Sequence, residues 1–342
     1  MKTKFFPMTH YEYVMTTDLL DMPGVLKEIK NHFSNEDIGF QELGLFMTNT
    51  FNQRLSSIAK YMSLSTGSVG LQMIYHVYQE HLHGEKIYYL SKNLVEMFAH
   101  TAMNVSSDLI QSPFQAIYIY IDQNDLILKD YTGTAPIKGV YVNLREESGG
   151  SRKLRIMATT GVEGLNNFTD INFFFNLNLW PGKVDELVEE HLDQMLKGEL
   201  ASERDLFGNH EIIPALTRLV INSLLYITSK NPDLEKITPP KINMGNVKSK
   251  RKQQKLEKRL TKVAQKSFIL IGGKTPRMTT ANGKIVSDNS KINYQFTVAG
   301  HWRAQWKGSR SDGSWRQEQV WIKPYIKGKD LAESINKRYI IT

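Results

Sequence analysis

FQAIYIYID, residues 114–122, decides how the rest of this chain is read. It is an aromatic and β-branched run, entered after Pro113 and closed by the turn signal Gln123-Asn124-Asp125, and it therefore reads as a strand. KGVYVNLRE (138–146), RKLRIMAT (152–159) and INFFFNLNLW (171–180) follow, with Gly149-Gly150-Ser151 between two of them. Four strands this closely spaced leave no room for crossover helices, so the pattern predicts an antiparallel sheet. After Pro181-Gly182 come the amphipathic KVDELVEEHLDQMLKG (183–198) and the apolar EIIPALTRLVINSLLYITSK (211–230). The second carries Pro214 in its first turn, where proline is tolerated, and it is suited to covering the sheet.

Outward from this centre the period changes. LLDMPGVLKEIKNHF, LGLFMTNTFNQRLSSIAKYM and KNLVEMFAHTAM carry apolar residues at three- and four-residue spacings, so residues 8–111 read as mainly helical. Ser65 to Ser68 reads as a helix connection leading into VGLQMIYHVYQEHL, which His83-Gly84 ends. Beyond Pro239-Pro240 lies a basic stretch, and then SFILIGG, KINYQFTVAGHW and QEQVWIKPYI return to a strand-like pattern. The fold class expected is α+β. A helical region spans 1–112, a central antiparallel sheet with covering helices 113–230, a basic linker 231–266, and a small tryptophan-rich β module 267–342. No internal repeat of 20–50 residues is evident.

A chain of 342 residues that is 41% hydrophobic and 23% charged can bury a sizeable core. Its lack of cysteine excludes disulfides, thiolate zinc sites and a cysteine nucleophile, and it fits a reducing compartment. The N-terminal residues show no apolar run of signal-peptide length, and no stretch approaches the ~20 apolar residues of a membrane span. A cytoplasmic protein without a membrane partner is the expectation. The net charge of +8 is local: Lys241 to Lys266 holds ten Lys or Arg residues against the single acid Glu257. A segment so positive attracts polyanions in a salt-dependent way, and otherwise serves as a solubilising linker.

Several motifs invite chemistry. Gly272-Gly273-Lys274-Thr275 imitates the end of a phosphate loop, but Phe268 stands where that loop needs glycine, so it reads as a turn after a strand. His76 and Glu80 share a helical face near His81 and His83, in an order that is not HExxH; they read as surface or capping residues, with no metal expected. Asp122, Asp125, Asp130, Glu146, Glu147 and Asp170 lie on or beside the predicted strands, as the carboxylates of metal-dependent nucleases do. Nothing in their spacing selects a pair. Asp122, Glu146 and His301 are the weak catalytic candidates, and no cofactor is expected.

The stronger pattern is GHWRAQWKGSRSDGSWRQEQVWIKPY, which holds four of the five tryptophans. His301, Trp302, Arg303, Trp306, Lys307, Arg310, Trp315 and Arg316 are the binding candidates, joined by Lys250, Arg251, Lys252, Lys258 and Arg259 of the basic segment. Arg and Lys can contact phosphates while indole faces stack on bases, on peptide aromatics or on guanidinium groups. Trp302 and Trp321 lie in strand-like runs and are expected in the core. Trp306 and Trp315 flank the Gly308–Gly313 loop and are expected to form an exposed platform.

GHWRAQWKG, a further Trp, and then VWIKPYIKG resemble the C-terminal signature of the type V-A anti-CRISPR family that clears the transcript of a CRISPR nuclease. FFPM (5–8) and SPFQAIYIYID (112–122) resemble segments of that family in the same order. The resemblance implies a phage or plasmid protein that recognises a nascent peptide during translation and brings about loss of the mRNA. Its partners would then be the nascent peptide, the ribosome or RNA, with DNA compatible with the same basic and aromatic surface. A metal-dependent nuclease or a general nucleic-acid-binding protein stands as the alternative, and a phage structural protein ranks behind both.

Overall fold

The computed structural model describes residues 22–61, 67–83, 86–103, 105–121, 126–130, 133–147, 150–160, 170–177, 183–196, 212–229, 232–238, 249–251, 267–272, 296–298, 300–322 and 325–327. The N-terminal helices are α1 (Met22–Phe33), α2 (Phe40–Tyr61) and α3 (Gly67–Leu82). Strand β1 (Ile87–Leu90) and helix α4 (Lys92–His100) follow. Then come β2 (Ala116–Ile121), β3 (Ile127–Asp130), β4 (Gly133–Glu146), β5 (Arg152–Thr160) and β6 (Asp170–Asn176). Helices α5 (Val184–Leu196) and α6 (Ile212–Ile227) precede β7 (Leu234–Ile237) and β8 (Phe268–Ile271). The chain closes with β9 (Phe296–Val298), β10 (His301–Lys307), β11 (Arg316–Ile322) and β12 (Tyr325–Lys327).

The main sheet runs β6-β5-β4-β2-β1-β8-β7, with β3 paired to β4. From β6 to β2 every pairing is antiparallel, with Tyr118 opposite Tyr141 and Tyr141 opposite Met157. The sheet as a whole is mixed, however, because β1 runs parallel to both β2 and β8. The β1–β2 connection contains α4, and a helical crossover is what a parallel pair requires. β1 lay hidden in the sequence because IYYL is only four residues long and sits between two helices. β7 and β8 come from segments read as linker and C-terminal module, yet they complete this sheet beyond β1.

The period-2 alternation sorts the strands onto two helical layers. Ile117, Ile119, Val140, Val142, Leu154, Ile156 and Ala158 face a core built with α4, α5 and α6. Tyr118, Tyr141 and Met157 face α1, α2 and α3. Covering both faces explains why AIYIYI is apolar throughout instead of alternating with polar residues. The fit is tight: a Cβ on Gly139 would stand 1.9 Å from the Tyr118 hydroxyl. That hydroxyl hydrogen-bonds the Thr159 hydroxyl at 3.1 Å.

Burial also corrects the reading of the histidines. Residues 73–80 of α3 are buried in unbroken succession, so His76 and Glu80 are interior residues and not surface or capping groups. Burial, with the Arg155 charge adding to it, pushes the His76 imidazole down to about 3, so the ring is neutral. Among the described residues its Nε2 has no hydrogen-bond partner. Among the described residues no group of three or more His, Cys, Asp or Glu is placed to hold a metal ion, and no helix is long and apolar enough to cross a membrane.

Candidate functional site

β10 and β11 form an antiparallel hairpin in register from His301–Ile322 to Lys307–Arg316. Alternation divides its side chains between two faces. Trp302, Trp306 and Trp321 fall on one face by register; His301, Arg303, Lys307, Arg316 and Glu318 fall on the other.

At the base of the aromatic face, Trp302 and Trp321 meet at 5.1 Å and pack on the α4–α6 core. Trp321 stands edge-on to Phe98 at 5.6 Å and to Tyr226 at 6.2 Å. The Trp302 Nε1–H donates to Asn222 Oδ1 at 2.8 Å. At the tip of the same face Trp306 and Trp315 are 53% and 37% exposed. Their rings stack at 4.2 Å with 26° between planes. The Arg310 guanidinium lies 3.7 Å from the centre of the Trp315 ring. A second ring and a guanidinium this close cannot share one face of Trp315, so the order is Arg310, Trp315, Trp306. Trp306, 53% exposed, stands at the far end of that stack.

The loop that carries Arg310 is braced by its own polar groups. Gly308 has φ +88 and Gly313 φ +74, and a Cβ on Gly308 would fall 2.2 Å from the Ser314 carbonyl oxygen. Ser314 donates to Asp312 Oδ1 from its N–H at 2.9 Å and from its hydroxyl at 2.5 Å, and the Ser309 N–H donates to the Ser314 hydroxyl at 3.0 Å. The Ser309 and Ser311 hydroxyls share a hydrogen bond of 2.6 Å. The two bonds from Ser314 hold the Asp312 carboxyl below its ordinary range. The platform is thus set before any partner arrives.

On the opposite face, Glu318 accepts from Lys307 Nζ at 2.7 Å and from Arg316 at 2.9 Å. These partners, Lys307 first, hold the Glu318 carboxyl below its ordinary range. Four cations stand against two carboxylates in 301–322, and two of the four are tied to Glu318. Arg303 is exposed, and His301 is half-buried where the hairpin begins.

Lys250 and Arg251 are exposed, while Lys252, Lys258, Arg259, Asp122 and Asp125 lie outside the described residues. Glu146, at the end of β4, opens on a shallow depression of about 410 Å³ lined also by Asp37, Phe114, Gln115 and Arg145. There Asp37 is already engaged, accepting from Arg145 at 2.7 Å and Gln115 at 2.6 Å. Burial alone would raise Glu147, but hydrogen bonds and charge from Lys153 and Arg155 outweigh it and hold the carboxyl low. Asp170 and Asp130 occupy strand ends, opposite Thr159 and Gly133. The residue that sequence reasoning missed is Asn222, fully buried in α6; its one signal is an amide inside VINSLLYI.

A crystal structure of AcrVA2 resembles this architecture with a TM-score of 0.46 and 13% sequence identity, covering 93% of this chain and 99% of the other. No curated protein matches the chain. The profile of the AcrVA2-like family, described as anti-CRISPR type V subtype A2, matches residues 88–329, from β1 through the whole of the aromatic hairpin. With well over half of its length matched, this chain belongs to the AcrVA2-like family of type V subtype A2 anti-CRISPR proteins.

Proposed function

We propose that this protein acts against a type V CRISPR system by holding a peptide, emerging from the ribosome, on the tip of the β10–β11 hairpin, and so suppresses expression of the nuclease gene. The observation that carries the reading is the division of the hairpin. The exposed Trp306 ring lies on the side away from Arg303, Lys307 and Arg316, and two of those cations are held by Glu318. A nucleic acid stacking on Trp306 needs phosphate-binding cations beside the ring, and the hairpin offers only Arg310, itself stacked on Trp315. A peptide aromatic, methionine or arginine side chain needs only the indole face and a rigid mount.

The test is purification of ribosomes from cells expressing tagged protein and the target nuclease, followed by sequencing of the footprints. Ribosomes translating one reading frame should be enriched, and Trp306→Ala should reduce that enrichment at least about tenfold, as loss of an interface anchor does. Enrichment untouched by Trp306→Ala, or transcript binding that persists when translation is blocked, would overturn the reading. RNA contact through the basic segment is a second reading, favoured by the exposure of Lys250 and Arg251. It predicts that capture weakens steeply as salt rises.

A further inference from the structure

Helix α6 carries three buried polar side chains between Thr217 and Ser223. Two of them are satisfied within the helix: Thr217 donates to the Ile213 carbonyl at 2.7 Å and Ser223 to the Leu219 carbonyl at 2.6 Å. Asn222 is directed outward instead. Its Nδ2 donates to the carbonyls of Phe98 and Thr101, both at 3.0 Å, where α4 ends and its last carbonyls lack helical partners. Its Oδ1 accepts the Trp302 Nε1–H at 2.8 Å. Both amide protons and one acceptor position are therefore used, by partners at the end of α4 and on β10, by a side chain with no exposure to water. Apolar packing of Trp302 and Trp321 on Phe98 and Tyr226 is tolerant of sliding and rotation; a directed hydrogen bond from an indole N–H is not.

Resting on the reading of the hairpin tip as the binding surface, we infer that Asn222 is a positioning residue: it fixes the orientation of the hairpin against α4 and α6, and so the direction in which Trp306 faces its partner. Asn222 makes no contact with the platform, and acts through Trp302 alone.

The absence of native cysteine makes a direct test clean. Spin labels placed at Ser311→Cys on the tip and Glu189→Cys on α5, both exposed positions, report the distance between hairpin and body. The parent protein should give one narrow distance distribution. Asn222→Ala should broaden it, and so should Trp302→Phe, which keeps the aromatic ring and leaves the α4 carbonyls bonded to Asn222 if the first variant fails to fold. The exciton circular dichroism of the Trp306–Trp315 stack should survive in both, showing an intact hairpin that has lost its fixed direction. Capture of the ribosome–nascent-chain complex should fall in step with the broadening. A distribution that stays narrow in Trp302→Phe overturns the inference, as does a broadened one with capture undiminished. The distance measurement needs no partner, so its failure is distinct from a failure of Trp306→Ala to reduce capture, which would sink the peptide reading alone.

Discussion

One face of the β10–β11 hairpin carries two tryptophan pairs, and they live under opposite conditions. Trp302 and Trp321 sit over Phe98, Tyr226 and Asn222, with their rings tilted by 55° to fit a core shaped by other residues. Trp306 and Trp315 are exposed, and stack on each other within 26° of parallel. Residue type, strand and face are shared, since Trp302 and Trp306 are four apart on one strand. What differs is what lies beneath. The base pair fastens the hairpin, and the tip pair stays exposed.

That contrast can be broken by experiment. Trp321→Ala removes an aromatic packed on three others, and should cost about 3 kcal/mol of unfolding free energy, the lower end for such truncations because the site is only part-buried. Denaturant titration would measure it.

Acid comes next, and should act on the body before the tip. His76 is held neutral in the fold down to about 3, whereas the unfolded chain protonates near the ordinary histidine value. The unfolded state therefore takes up more protons below pH ~6.5, so stability is lost as pH falls from there toward 3. At pH 5 the loss should approach about 2 kcal/mol, and His76→Phe should flatten that part of the profile. The tip carboxylates are shifted in the same direction, but from the carboxylate range. Asp312 and Glu318 are held below their ordinary range, so their contacts persist into more acid solution.

Gly308→Ala puts a side chain at φ +88 and into the Ser314 carbonyl, at a cost of about 1 kcal/mol or somewhat more, with loss of the Trp306–Trp315 exciton signal. Smallest in stability is Trp306→Ala, which should stay within about 0.5 kcal/mol of the parent while abolishing most partner capture. If Trp306→Ala proved as destabilising as Trp321→Ala, the two pairs would be one core and the contrast would be gone.

Much of this arrangement was legible in the residues. The β-branched and aromatic runs at 116–121, 138–146 and 152–159 read as strands, and the structure pairs them antiparallel as their short connections require. The strand-like setting of Trp302 and Trp321, against the glycine-flanked setting of Trp306 and Trp315, marks which pair is packed and which is exposed. Other features were out of reach. β1 is too short to stand out, and its parallel partner β8 lies about half the chain away. His76 looked like a surface residue because three- and four-residue spacing shows one face of a helix, whereas residues 73–80 of α3 are buried on every side.

By itself, then, the sequence determined the local choices: strand or helix, turn or cap, which face of a strand a tryptophan takes. Those follow from backbone sterics and from side-chain period, which act between near neighbours. Only the tertiary structure decided that Glu318 engages Lys307 and Arg316, that Arg310 closes one end of the indole stack, and that Asn222 reaches Trp302 across eighty positions of chain. Such contacts depend on where distant elements are brought together in space, and no spacing along the chain encodes that distance.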